Sequence, residues 1–569
     1  MSGRLHLRWL FAAQAVLLAV AAWRNLHQLN PDAIAYMRIA GYYAAGQWDL
    51  AVTGYWGPLL SWLMVPLLKA GVPPLVAARV VMALSGVVFL AGAVAVFRAF
   101  RLPRAALLAG AGIALGWSVF WSVRNISPDL LLAGLVGLAV SATVELFLCR
   151  GRRWAEAEHA ADKRVRLATA AGVWWGVAYL AKAVALPLAA LTTAGWAMFA
   201  LSGRGELRRE MAQRLGLVWL CTALVAGPWM AVLSLHYGKF TFSTTGPIAH
   251  ALAGPGEESR YHPAMVTLHQ PDAGRVTQWE EPSRMAYRFW SPFAGAENFR
   301  HQLAVMRSNL GVCWDWLNPW RMWFDETEMP TWRRWLGTFD WLGISGLAVL
   351  LAGGWVVRSR CRLRRERWCW AVVPVVALGG LYLPFFVMAE DNRYFYPVWP
   401  CLWLTARAGL AALPRGEARS LGGRIIAASF AIPSVLLCGA ALHGLPNPAA
   451  EAAHKLAAQL QADRVAGPFA GSASLPGGRT GLYTVFLLGG RWLGDDPQAG
   501  PEQFSKAGAQ VVFVRRGSPA FALFATDRGW REWTAAAERS SFIGELMTGR
   551  MFLPEPPGSA IRVFVRKSP

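Results

Sequence analysis

Cysteine is scarce, seven in 569 residues. Cys149, Cys221, Cys361, Cys369, Cys401 and Cys438 fall in or beside apolar segments or in the basic stretches between them. That leaves Cys313 alone in a polar loop, so no external disulfide framework is implied. No cysteine pair has metal-ligand spacing, and His250, His262, His269 and His301 show no i, i+4 pattern, so a structural zinc site is unsupported. Glycine-rich phosphate loops are missing as well: Gly477-Gly478 and Gly489-Gly490 read as turns. Acidic residues are few, 34 against 56 Lys and Arg, for a formal charge of +22. The arginines come in short bursts between apolar segments, where cytoplasmic loops of membrane proteins carry them, so the excess is a topology signal and not a nucleic-acid surface.

What the chain has in quantity is apolar sequence. Hydrophobic residues make up 55%, tryptophans number 30, and mean hydropathy is +0.32, the profile of a polytopic α-helical membrane protein. Apolar segments at 7–23, 75–97, 105–121, 130–148, 167–186, 187–201, 215–235, 336–357, 368–388, 398–413 and 425–442 predict about eleven transmembrane helices. With Arg4 and Arg8 in the cytoplasm, this order puts every arginine burst there: Arg98 to Arg104, Arg150 to Arg166, Arg204 to Arg214, Arg358 to Arg367 and Arg415 to Arg424. It places 24–74, 123–129, 236–335 and everything after His443 outside the cytoplasmic (inner) membrane. Arg4, a short apolar run and Ala19-Val20-Ala21 also fit a cleavable signal peptide, which would leave the segment after it outside all the same.

The expected division is a membrane domain over 1–445, with external loops 24–74 and 236–335, and an external α/β domain over 446–569. In the latter, 449–462 predicts a helix, and 483–488, 511–515 and 561–566 predict strands. The long loop carries Trp279, Trp290, Trp314, Trp316, Trp320, Trp323, Trp332 and Trp335, a density that favours the membrane–water interface.

Chemistry is sought where polar residues gather at the outer ends of spans, since ionisable groups there are costly. Asp32 lies in Asn30-Pro31-Asp32, with Tyr36 one helical turn on and Arg38 beyond, followed by Gly54-Tyr55-Trp56-Gly57-Pro58-Leu59. Asp32 is a candidate base, with helix capping as the alternative. Arg124 and Asp129 share a very short external turn; Asp129 also fits a helix start. Lys182, deep in an apolar stretch, either snorkels or binds an anion such as phosphate. Arg393 and Tyr394 occupy a turn between two spans, a clamp for phosphate and a surface for lipid or sugar, or a structural Arg–Asp pair. The acidic run 325–328 reads as a solvated face.

In this order the motifs Asp32-x-x-x-Tyr36, Gly54-Tyr55-Trp56-x-Pro58-Leu59, Pro128-Asp129, Leu180-x-Lys182 and Arg393-Tyr394-x-x-Pro397 resemble the GT-C superfamily. The chain is similar to its lipid-linked-sugar transferases: protein O-mannosyltransferases, lipid A aminoarabinose transferases and lipopolysaccharide-core galacturonosyltransferases. The resemblance implies inverting transfer of a sugar from a polyprenyl-phosphate donor to a lipid, glycan or protein acceptor on the outer face of the membrane. By it, Asp32 and Asp129 are the carboxylates of the site, Lys182 and Arg393 bind the donor phosphate, and Tyr36, Arg38, Arg124 and Tyr394 bind substrate. Ala33 stands where the aminoarabinose transferases have a second acidic residue, and Trp56-Gly57 replace a lysine before the proline, which puts lipid A modification in doubt. Some superfamily members hold a divalent metal between acidic residues of the first loop. Asp32 and Asp49 are too far apart for an Asp-x-Asp pair, so metal independence and no cofactor are expected. The alternative is a transporter or flippase of an anionic or lipid-linked substrate, although the chain shows no convincing internal repeat.

Overall fold

The computed structural model describes residues 2–148, 157–201, 205–255, 262–316, 362–385, 392–412, 417–472, 477–533 and 561–567. The expected span 336–357, the acidic run 325–328 and Trp320, Trp323, Trp332 and Trp335 lie outside the described residues.

The membrane half runs α1 (Ser2–Arg24), α2 (Pro31–Ala44), α3 (Trp48–Ala51), α4 (Pro58–Lys69), α5 (Pro74–Ala99), α6 (Arg104–Arg124), α7 (Asp129–Leu148), α8 (Ala157–Ala181), α9 (Ala185–Leu201) and α10 (Gly205–Tyr237). After α11 (Thr245–Leu252), α12 (Pro263–Val266) and α13 (Ala296–Trp316) come α14 (Arg362–Phe385), a 3-10 helix (Asn392–Val398), α15 (Trp399–Ala412) and α16 (Glu417–His443). Among the described residues, six helices are long and apolar enough to cross a membrane: α1, α5, α6, α7, α10 and α16. The chain is a multi-pass membrane protein. α5 and α7 cross closely because both are glycine at the contact: a Cβ on Gly92 would overlap the carbonyl oxygen of Gly134.

The basic and catalytic candidates separate along the bundle. Arg98, Arg101 and Arg104 sit where α5 passes to α6, whereas Asp129 follows the far end of α6. The break between α8 and α9 splits the apolar stretch 167–201 at Lys182 rather than at Pro187, so Lys182 stands in a turn at that far end and not inside a span.

The remainder is α17 (Pro448–Ala462), β1 (Pro468–Ser472), α18 (Gly477–Leu488), β2 (Arg491–Asp495), α19 (Pro501–Lys506), β3 (Val511–Arg515), α20 (Pro519–Thr526), β4 (Trp530–Trp533) and β5 (Ile561–Arg566). The strands form one sheet in the order β2-β1-β3-β5-β4, with β2, β1 and β3 parallel and β5 antiparallel to both β3 and β4. Residues 483–488, expected as a strand, are helical, and Gly477-Gly478, expected as a turn, open that helix. Tyr483-Thr484-Val485-Phe486-Leu487-Leu488 is a continuous apolar run, and such a run does not distinguish a buried strand from a buried helix. Here α18 is buried because the sheet, α17 and α2 all pack against it.

The sheet is fastened to the membrane half. Trp492 N–H donates to the Val276 carbonyl at 2.8 Å and His269 N–H to the Leu493 carbonyl at 2.9 Å, so the long loop covers the β2 edge that would otherwise stand open. Asn25 and Gln28 reach Leu445, and Asn447 reaches Gln28 and Leu29, seating α17 on the α1–α2 connection.

Candidate active site

Pro31 opens α2, where its fixed φ and missing N–H are no penalty. Asn30 before it does not cap that helix with its side chain. Its amide instead grips the turn ahead of α7: Ile126 N–H donates to Asn30 Oδ1 at 2.9 Å, and Asn30 Nδ2 donates to the Ile126 carbonyl at 3.3 Å. The clamp lays the first turn of α2 beside the first turn of α7. Asp32 and Asp129 both point into the resulting junction.

Arg393 lies in the 3-10 helix, which Tyr396 anchors by stacking on Trp121 of α6 with ring centroids 3.7 Å apart. It donates Nη1 to Asp32 Oδ2 at 2.7 Å and holds Nε 3.7 Å from Asp129 Oδ2. Lys182 donates Nζ to Asp129 Oδ1 at 2.6 Å. The side chains therefore alternate in sign, Asp32, Arg393, Asp129, Lys182. Asp129 is 1% exposed and Lys182 22%, so the ammonium is turned to a buried carboxylate instead of snorkelling. Asp129 also opens α7, as its helix-start reading expects. The Tyr394 ring faces both cations, its centroid 4.5 Å from Lys182 Nζ and 5.5 Å from the Arg393 guanidinium.

Tyr36 is buried one turn after Asp32, edge-on to Trp56, with the Gly57 N–H directed to its hydroxyl oxygen. Burial first, then the charges of Asp32 and Asp129, hold its ionisation well above the usual phenol range, so it serves as a neutral hydrogen-bonding group. Gly57 is required there, since a Cβ would overlap the carbonyl oxygen of Ala181, the residue before Lys182. Arg124 ends α6 half-buried at the turn leading to Asp129. Arg38 turns elsewhere: its Nε is 3.6 Å from Glu280 Oε1, and Nη2 donates to the Tyr42 hydroxyl, which itself donates to Glu280 Oε2 at 2.6 Å. That clasp ties the long loop to α2, and the fully buried Glu280 has its carboxyl pushed up by desolvation.

Tyr55 and Trp56 stand in a motif singled out in the sequence, but their partners across the junction, Trp279 and His262, were not foreseen. The Tyr55 hydroxyl lies 3.2 Å from His262 Nε2, and Trp56 Nε1 donates to the Trp279 carbonyl at 3.0 Å, so Tyr55, Trp56, Trp279 and His262 make an aromatic wall. Burial lowers the His262 pKa from 6.5 to about 4, leaving a neutral imidazole. Arg79, also missed, is buried in α5 and donates to the carbonyls of Val123 and Gln28, fixing the turns on either side of the site. Among the described residues no three His, Cys, Asp or Glu side chains gather as a metal-binding group.

Comparison with solved structures bears on the whole chain. ArnT from Cupriavidus metallidurans in the apo state is 16% identical with a TM-score of 0.52, over 98% of this chain and 97% of that one. The same protein bound to undecaprenyl phosphate is 15% identical with a TM-score of 0.52 and the same coverage. An oligosaccharyltransferase from Archaeoglobus fulgidus in the apo form is 11% identical with a TM-score of 0.50, over 89% of this chain and 69% of that one. These are GT-C superfamily glycosyltransferases. The chain has the GT-C fold. No protein-family model matches it, and no curated protein matches it in sequence. Within this GT-C fold, Asp32, Asp129, Lys182 and Arg393 come from four separate elements and converge on one junction at the bundle end that carries the sheet.

Proposed function

We propose that the protein is an inverting glycosyltransferase that moves a sugar from a polyprenyl-phosphate donor to a lipid, glycan or protein acceptor on the outer face of the cytoplasmic membrane. The observation that carries this reading is the alternating cluster Asp32–Arg393–Asp129–Lys182, two cations and two carboxylates at one bundle end. Its distance along the bundle from the Arg98–Arg104 cluster supports the outer placement.

In this reading Lys182 and Arg393 take the donor phosphate, and Tyr394 lies along the lipid or sugar beside it. A phosphate oxygen competes with Asp32 and Asp129 for those cations. Donor binding thus draws Arg393 from Asp32 and frees the carboxylate oxygen that Arg393 held to accept a proton. The acceptor hydroxyl attacks the anomeric carbon from the side opposite the phosphate. Its proton passes to Asp32, the new glycosidic C–O bond forms, and the bond to the phosphate oxygen breaks with its electron pair leaving on the lipid phosphate. That phosphate gains one negative charge as the bond breaks, and the two cations stabilise it as the charge develops.

Asp32→Asn tests the assignment, because an amide keeps the shape but accepts no proton. Transfer should fall by about 10²–10⁴-fold with expression and membrane insertion unchanged. Full transfer in that variant would remove Asp32 from the chemistry.

A further inference from the structure

The parallel part of the sheet winds in both directions from β1: α18 leads from β1 to β2, and α19 leads from β2 to β3 on the other flank of β1. Ligands of such sheets bind at the carboxyl ends of the strands where the winding reverses. Here that crevice is bounded by Ser472, the last residue of β1, and the N-terminus of α18. Two hydroxyls at this place, Ser472 Oγ and Thr480 Oγ1, are buried, each residue 1% exposed, and have no hydrogen-bond partner. A buried hydroxyl without a partner costs stability unless something else supplies the bond. Arg479 beside them is exposed and makes no ion pair or hydrogen bond among the described residues. The first turn of α18 begins Gly477-Gly478, whose backbone N–H groups carry the positive end of the helix dipole.

The crevice lies next to the cluster already described. α18 packs against α2, the helix of Asp32, and the Tyr483 hydroxyl one turn after Arg479 is acted on by both Arg479 and Asp32, in opposite senses. Among the described residues two carboxylates face two cations in the cluster, so Arg479 adds a positive charge beyond that pairing.

We propose that Arg479, Thr480 and Ser472, with the N-terminus of α18, form a second anion subsite beside Asp32 that takes a phosphate carried by a substrate. The inference rests on the proposed function only for the meaning of the neighbouring cluster. The sheet domain then contributes directly to substrate binding, and the uncapped hydroxyls find their partners in phosphate oxygens.

The test is binding without turnover, so that its failure and the failure of the transfer reading are told apart. Full-length protein in phosphatidylcholine nanodiscs is titrated with undecaprenyl phosphate. With that lipid saturating, it is then titrated with inorganic phosphate at constant ionic strength, tryptophan fluorescence reporting both. Arg479→Gln should weaken one of the two by about tenfold, and Arg479→Lys by less, because lysine keeps the charge and loses the fork. A loss in the lipid titration assigns the phosphate to the lipid-linked substrate. A loss confined to inorganic phosphate assigns it to a second, phosphate-bearing substrate. Unchanged affinity in both titrations overturns the subsite. Thr480→Val keeps the shape and removes an unpartnered hydroxyl, so it should fold even if Arg479→Gln does not. It should weaken the same titration, whereas a higher Tm with both affinities unchanged would show a hydroxyl with no ligand and overturn the proposal.

Discussion

Removing Lys182 does two things at once, because its ammonium is the hydrogen-bond partner of an almost wholly buried carboxylate. Lys182→Met leaves Asp129 with the more distant Arg393 and the Ser127 hydroxyl, and breaking a buried pair from one side costs about 3–5 kcal/mol. Its Tm should drop accordingly. Lys182→Met combined with Asp129→Leu removes both charges, leaves Asp32–Arg393 in place, and should recover most of the Tm while polyprenyl-phosphate affinity stays low. Recovery of affinity in the double variant would show that Lys182 is a structural cation only. At this scale the sequence was informative for a physical reason: a charged side chain at the end of an apolar run is conspicuous whatever it touches. Asp32, Asp129, Lys182 and Arg393 stood out that way, and the structure joins them. Their pairing was not legible, since Asp32 and Arg393 are 361 residues apart. Arg38 was equally conspicuous, yet its partner proved to be Glu280, a residue whose burial no local pattern announced.

Elements place these side chains, and two contacts between elements are open to test. Gly57 lies against the end of α8, so Gly57→Ala pushes the Ala181 carbonyl and with it the turn that carries Lys182. Donor affinity should fall several-fold or more with the Asp32 side intact, and an unchanged affinity would mean that the turn yields freely. His262 supplies a pH signature. A histidine whose folded pKa lies below its unfolded value contributes stability that is complete above the unfolded pKa and drains as pH falls toward the folded one, because only the unfolded chain takes up the proton. For His262 the window runs from 6.5 down to about 4. Glu280, raised by burial, acts in the opposite sense, losing stability as pH rises through its shifted range, so wild type and variant must be compared at each pH. His262→Gln should flatten the fall in Tm across the His262 window; an identical slope in the two proteins would contradict the buried neutral imidazole. Helix existence was legible from hydropathy, as α5, α6 and α7 show. The break at Lys182 was not, because Pro187 looked the stronger interruption, whereas a proline in the first turn of a helix does not end one. The strand expected at 483–488 failed because burial on several sides erases periodicity.

In the whole molecule, the long loop is pinned between the sheet edge and the aromatic wall of the site. Gly494 makes that possible: its φ is +110°, and a Cβ there would overlap the Thr267 carbonyl oxygen. Gly494→Val should release the loop from β2, expose 262–284 to protease and reduce transfer without touching the four-residue cluster. Wild-type protection would mean that the contacts of the loop with α2 and the aromatic wall hold it without β2. By the proposed function, the protein breaks a bond between a sugar and a lipid phosphate. The most direct measurement is release of free polyprenyl phosphate from envelope lipids bearing labelled polyprenyl-phosphate sugars, in proteoliposomes of wild type and Asp32→Asn. Wild type should release polyprenyl phosphate with transfer of the label, and Asp32→Asn at least about a hundredfold less. Equal release by the two proteins, or label that crosses the bilayer still joined to its lipid phosphate, would contradict that function.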